Sequence, residues 1–161
     1  MSVEVRKMTS EEFDAFFQWS AENHAKELME ELQLSHAEAM QETLQELAQM
    51  LPEGFRTENN HFMMIVAEQE KAGYLWTIYE KTEGRKQCFL CDFVIWEEKR
   101  RKGYGEKALS LAERIAATAG CQESVLFVRD DNTAARALYE KCGYRILRQE
   151  AYGKYMKKPL A

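Results

Sequence analysis

A basic run broken by glycine, Arg100-Arg101-Lys102-Gly103-Tyr104-Gly105, separates an apolar stretch of strand length from an amphipathic helical pattern. Strand, glycine turn and helix in that order restrict the fold more than any other segment, because such a junction is built to hold an anion. The first N–H groups of a helix have no intrahelical partner, and the helix dipole sets positive charge behind them. Gly103 and Gly105 leave room for phosphate oxygens and admit the backbone angles that a nest of N–H groups requires. Arg100, Arg101 and Lys102 offer charge-assisted bonds. Upstream, Cys88-Phe89-Leu90-Cys91-Asp92-Phe93-Val94-Ile95-Trp96 predicts a central strand buried on both faces. Downstream, Tyr104, Ala108, Leu111, Ala112, Ile115 and Ala119 recur at helical spacing, and Gly120 is placed to end the helix.

Two familiar phosphate loops do not fit. A Walker loop needs Gly-x-x-x-x-Gly-Lys-Ser/Thr, which the chain lacks. The dinucleotide fingerprint tolerates the alanine found at Ala108, and Asp130 follows a strand-like segment, but too few βα units are present for that fold. A second segment decides the matter. In Asn132-Thr133-Ala134-Ala135-Arg136-Ala137-Leu138-Tyr139-Glu140-Lys141-Cys142-Gly143-Tyr144, Asn132 is an N-cap, Ala135, Leu138, Tyr139 and Cys142 share a face, and Gly143 supplies the stop.

Together these segments resemble the GNAT superfamily of acyl-CoA-dependent N-acetyltransferases. Arg100 to Gly105 is similar to that family's Arg/Gln-x-x-Gly-x-Gly/Ala loop. Asn132 to Tyr144 is similar to its Asn-x-x-Ala-x-x-Leu-Tyr-x-x-x-Gly-Phe/Tyr helix. The motifs cover residues 88–148, and the likeness extends over the whole chain, looking most like small Bacillus-type members of unknown substrate. The resemblance implies one domain over residues 1–161 with a mixed, mostly antiparallel sheet and helices on both faces. In such a fold a parallel strand pair splays, and acetyl-CoA lies in the opening. It further implies coenzyme contacts from Phe93, Val94, Ile95, Arg100, Arg101, Lys102, Gly103, Tyr104, Gly105, Glu106, Asn132 and Tyr139.

Acetyl transfer needs a neutral amine, attack on a thioester carbonyl, and a proton for the departing thiolate. The pantetheine arm can pair like a strand with the backbone of residues 93–95, whose amides could also polarise the thioester oxygen. Tyr139 matches the family position whose phenol lies near the coenzyme sulfur, so it is the candidate acid. The base is less evident, because the positions where relatives often carry a polar residue or a histidine are Phe89 and Phe127. Asp92 carries the only carboxyl group in the 88–96 strand and is the candidate base, directly or through water; Glu68 is a second choice. His24, His36 and His61 read as surface residues. No nucleophile for a covalent acetyl-enzyme is evident, since both strand cysteines read as buried.

The rest of the chain is consistent with this reading. At 161 residues it has enough length for one core. Residues 3–7 predict a first strand, and Thr9-x-x-Glu12 and Ser35-x-x-Glu38 predict capping boxes ahead of two amphipathic helices. Residues 61–68 and 72–81 read as strands, as do 124–129, 144–148 and 152–158. No apolar run approaches a membrane span and no signal peptide is read at the start, so a cytoplasmic location without membrane contact is expected. The four cysteines are expected to be free thiols, with no metal site.

Residues 1–60 hold thirteen acidic and four basic side chains, and the remainder fourteen and eighteen, within an overall charge of −5. An acidic lip would favour a cationic amine acceptor, although Glu22, Glu27, Glu30, Glu31 and Glu46 also fit solvated helix faces. Phe13, Phe16 and Trp19, or Trp76 and Tyr79, could line an acceptor pocket, though such residues more often build core. The acidic balance argues against nucleic acid, and a homodimer is an admissible assembly. The alternative function is an acyl-CoA-binding sensor that has lost catalysis.

Overall fold

Local signals in the sequence account for most of the elements. The computed structural model describes residues 1–160, in two compact units: Met8–Asn60, and Met1–Lys7 together with the chain from His61 onward. In the first unit, helix α1 (Ser10–Leu32) starts at the expected capping box: Glu12 N–H donates to Thr9 Oγ1 and Thr9 N–H to the Glu12 carboxylate. Helix α2 (His36–Met50) repeats the device with Ser35 and Glu38. Each box satisfies two N–H groups that the first turn would otherwise leave orphaned. Helix α1 buries Phe13, Phe16, Ser20, Ala21 and Ala25, and α2 buries Ala39, Thr43 and Leu47. Phe13 stacks on Phe55 at 5.0 Å. Phe16 is core, and Phe13, also buried, lines a groove with Phe17, Leu44, Leu47 and Leu51.

The second unit is a seven-stranded sheet in the order β1-β2-β3-β4-β5-β7-β6. Its strands are β1 (Val3–Lys7), β2 (Asn60–Ala67), β3 (Glu70–Thr82), β4 (Arg85–Ile95), β5 (Glu123–Arg129), β6 (Arg145–Gln149) and β7 (Gly153–Pro159). Two hairpin turns have both central residues in the left-handed region, Glu68-Gln69 and Glu83-Gly84, as tight two-residue loops demand. The sheet is mostly antiparallel, and β4 and β5 form its parallel pair. Helices α3 (Tyr104–Thr118) and α4 (Thr133–Lys141) pack on one face, where Leu75, Leu90, Leu109, Leu126, Tyr139 and Met156 share a buried cluster. Trp76 and Tyr79 are also buried.

His24 and His36 lie on exposed surface, bonded to Glu46 and Glu22 respectively across α1 and α2. Two of the acids expected on a solvated face thus have partners. His61 departs from the surface expectation. Its ring lies 4.1 Å from that of Tyr79, and its Nε2 is buried with no hydrogen-bond partner. Periodicity could not reveal this, because the ring is covered by a neighbour eighteen positions along the chain.

Burial, with Lys86 and Lys7 nearby, holds the His61 pKa below its ordinary value. The folded state therefore binds the proton less readily than the unfolded chain. Stability from neutral His61 is complete above the unfolded pKa of about 6.5 and is lost as pH falls through the folded value. Thermal melts should show Tm dropping as pH falls below about 6.5, and His61→Phe should flatten that drop. An equal pH slope in the variant would show that other groups carry it.

Candidate active site

The opening in the sheet arises where β4 and β5 part. Their parallel ladder runs from Gln87↔Glu123 to Leu90↔Leu126 and stops there. Beyond it β4 continues to Ile95 beside β3, and β5 continues to Arg129 beside β7. The cause is local. Thr77 pairs with Leu90 but Trp76 pairs with Asp92, so Cys91 is an extra residue, a bulge that bends β4 at the fork.

Glycines on both outer neighbours accommodate the parting strands. A Cβ on Gly73 of β3 would lie 2.0 Å from the Val94 carbonyl oxygen, and one on Gly153 of β7 would lie 2.3 Å from that of Val128. Each tine of the fork thus leans outward onto a backbone that only glycine leaves bare. Neither glycine stood out in the sequence analysis, although an isolated glycine in a strand pattern is a recognised sign of close backbone approach.

This geometry corrects the expectation that residues 88–96 form a strand buried on both faces. Cys88 and Leu90 are buried, but residues 91–96 are partly exposed, because β5 no longer covers them. Cys91 is partly exposed too, against the expectation of two buried strand cysteines. All four cysteines are free. Burial, with Cys121 nearby, pushes the Cys88 thiol up to about 12, which leaves little nucleophilic thiolate at neutral pH. Among the described residues no group of three or more His, Cys, Asp or Glu side chains is placed to hold a metal.

The glycine loop stands beside the tip of β4. Arg101 and Gly103 both have positive φ, at 64° and 81°, and Gly103 caps α3. Left-handed residues flanking Lys102 turn the backbone sharply into the helix, an arrangement suited to gathering N–H groups. Tyr104 anchors the first turn in the core. Gly105 sits where a Cβ would come 3.4 Å from Leu138 and 3.6 Å from Ile95, bringing α3, α4 and β4 together. Arg100 is not wholly directed outward, since its Nε donates to the Ile95 carbonyl at 2.7 Å and ties loop to strand. Arg101 and Lys102 are exposed; Glu106 pairs with Lys141 of α4 at 3.1 Å.

The candidate acid and base stand at the fork on different elements, Tyr139 on α4 and Asp92 on β4. Tyr139, the one buried residue of α4, has its ring 6.4 Å from that of Phe93. Burial first, then the Asp92 carboxylate and the Cys142 thiol, raise the phenol pKa, so Tyr139 keeps its proton at neutral pH. That influence puts Asp92 within electrostatic reach of the phenol. Pairing with Trp76 sets Asp92 on the sheet face opposite Leu90 and Phe93. Asn132 caps α4, its Oδ1 accepting from Ala135 N–H at 3.2 Å. Phe127, one position beyond the last residue of β5 that pairs with β4, is 38% exposed with its ring 5.1 Å from that of Tyr155.

Comparison with known proteins agrees with this architecture. A model of the acetyltransferase (GNAT) family matches residues 11–144. The chain is 32% identical over 145 residues to the uncharacterized N-acetyltransferase YdgE of Bacillus subtilis, spanning 89% of this chain and 92% of that one. The crystal structure of YycN from the same organism superposes with a TM-score of 0.85 at 26% identity, covering 93% of this chain and 96% of that one. PaiA N-acetyltransferase from Thermoplasma acidophilum, solved with coenzyme A, shares the fold with a TM-score of 0.71 at 20% identity over 99% of each chain. With its forked sheet, its two motif segments and a family match spanning most of its length, the chain belongs to the acetyltransferase (GNAT) family of enzymes.

Proposed function

We propose that the protein transfers an acetyl group from acetyl-CoA to a primary amine, on a small molecule or a peptide, by direct attack in a ternary complex, with residues 1–161 acting as one domain. The observation that carries this reading is the fork itself: a parted strand edge with a left-handed glycine loop at one end and a buried, protonated phenol beside it. Acetyl-CoA would bring its acyl group as an activated thioester. The fit is favourable, since a Cβ on Gly103 would meet nothing closer than 3.9 Å and past Leu90 β4 has left its parallel partner.

In this reading the backbone from Gly103 to Glu106, with Arg101 and Lys102, holds the pyrophosphate, and residues 93–95 hold the pantetheine arm as a strand would. Asn132 serves both as cap and as a contact for the arm. Tyr139 gives its phenolic proton to the departing sulfur as the C–S bond breaks and the C–N bond forms. Asp92 takes a proton from the amine nitrogen, directly or through water, and exchange with solvent resets both groups. The high pKa of Cys88 supports direct transfer over an acetyl-enzyme. The acid excess in residues 1–60 favours a cationic acceptor. Apolar Phe89 and Phe127, at positions where relatives often carry polar residues, favour a second reading as an acyl-CoA sensor without turnover.

A thiol-release assay with acetyl-CoA and spermidine, lysine methyl ester or a short peptide with a free N-terminus separates the two. The enzyme should release thiol only with an amine present. Tight coenzyme binding with no release across a wide amine panel would establish the sensor.

Replacing Gly103 by Glu removes a left-handed glycine and places negative charge beside the pyrophosphate. Calorimetry should show acetyl-CoA affinity reduced by about 2–3 kcal/mol, the scale of lost charge-assisted bonds. Undiminished affinity in a folded variant would move the phosphates elsewhere. Tyr139→Phe deletes only a hydroxyl, so coenzyme affinity should persist while turnover falls by roughly 10²–10⁴. Wild-type turnover, under conditions where chemistry limits the rate, would reduce Tyr139 to packing.

A further inference from the structure

Behind Tyr139 lies a buried polar chain that acetyl transfer, as described above, does not use. The Tyr144 hydroxyl donates to Glu113 Oε2 of α3 at 2.9 Å. It lies 2.7 Å from Ser124 Oγ of β5, and since its single proton is committed to Glu113, the serine is the donor there. Lys158 of β7 donates to Glu113 Oε1 at 2.7 Å. Tyr144 and Ser124 are 3% and 2% exposed. Burial and the Glu113 charge raise the Tyr144 phenol pKa, which keeps it a donor. The chain fastens α3, β5, β7 and the segment after α4 to one another.

Its central member touches the candidate acid twice. The rings of Tyr139 and Tyr144 meet edge-on at 5.7 Å, and the Tyr144 N–H donates to the Tyr139 carbonyl at 3.0 Å. Helix α4 has nine residues, and Tyr139 is its one buried residue. So short a helix takes its position from tertiary contacts rather than from its own propensity, and Tyr144 supplies two of them at Tyr139 itself.

We propose that Tyr144, held by Glu113, Ser124 and Lys158, is a positioning residue that sets the placement of the Tyr139 phenol at the fork. This rests on the acid role assigned to Tyr139. The test is a double-mutant cycle of Tyr144→Phe and Tyr139→Phe, read as kcat and KM for acetyl-CoA with the fastest acceptor among spermidine, lysine methyl ester and the peptide. Tyr144→Phe keeps the ring contact and removes only the anchoring hydroxyl. It should lower kcat roughly tenfold or more while leaving KM for acetyl-CoA within about twofold, as a misplaced reacting group does. In the Tyr139→Phe background the same change should cost nothing further.

An undiminished kcat in folded Tyr144→Phe, or an equal loss whether or not the Tyr139 hydroxyl is present, would overturn the proposal and leave the acid role standing. Full activity in Tyr139→Phe alone would remove the acid role and this inference with it. Should Tyr144→Phe not fold, Ser124→Ala, which deletes only the far donor of the chain, goes through the same cycle with the same outcomes.

Discussion

The parallel ladder between β4 and β5 ends at Leu90 and Leu126, and the candidate chemistry depends on that ending. A continuous ladder would close the sheet and bury residues 91–96 as a fully paired strand. One extra residue, Cys91, bends β4 out of register with β3 where its parallel partner leaves. The cost is a stretch of backbone without its usual neighbour, and backbone N–H and C=O groups in a protein interior need partners. At the tip of β4 the protein meets part of that need itself. Arg100 reaches back to the Ile95 carbonyl.

The groups around the fork divide by origin. The strand contributes Asp92, whose face is set by pairing, while α4 contributes Tyr139, whose position is set by packing. Two carriers with different mechanical supports bring a carboxylate and a phenol into mutual electrostatic influence. The glycine loop has a third support, the burial of Tyr104 and the close seat of Gly105 against Leu138 and Ile95. All three converge on β4, so its bend is the common reference for the site.

How much of this was legible from the chain depended on range. Both capping boxes, the end of α3 at Gly120 and the Asn132 cap are local signals, and each stands where the sequence places it. The fold class, with one parallel pair in a mostly antiparallel sheet, came from the resemblance to the GNAT superfamily that the two motifs carry. The parting of β4 from β5 was not legible in residues 88–96 themselves, because a fully paired strand and a half-paired one both read as apolar. The polar chain of Glu113, Ser124, Tyr144 and Lys158 joins positions up to 45 apart, and no periodic pattern connects them. His61 was misjudged for the same reason, its cover coming from another strand.

Gly73 and Gly153 bear on how this protein tolerates change over evolutionary time. Both carry no polar side chain, belong to no motif and lie in ordinary strands, yet a single added methyl at either would drive into backbone atoms 2.0 or 2.3 Å away. Backbone cannot yield as a flexible side chain does, so relief would have to come from closing the fork. A complete map of substitution tolerance would therefore mark both glycines as intolerant as any reacting group, although neither takes part in bond making. In this chain, intolerance to substitution records the shape of an opening as much as the chemistry done within it.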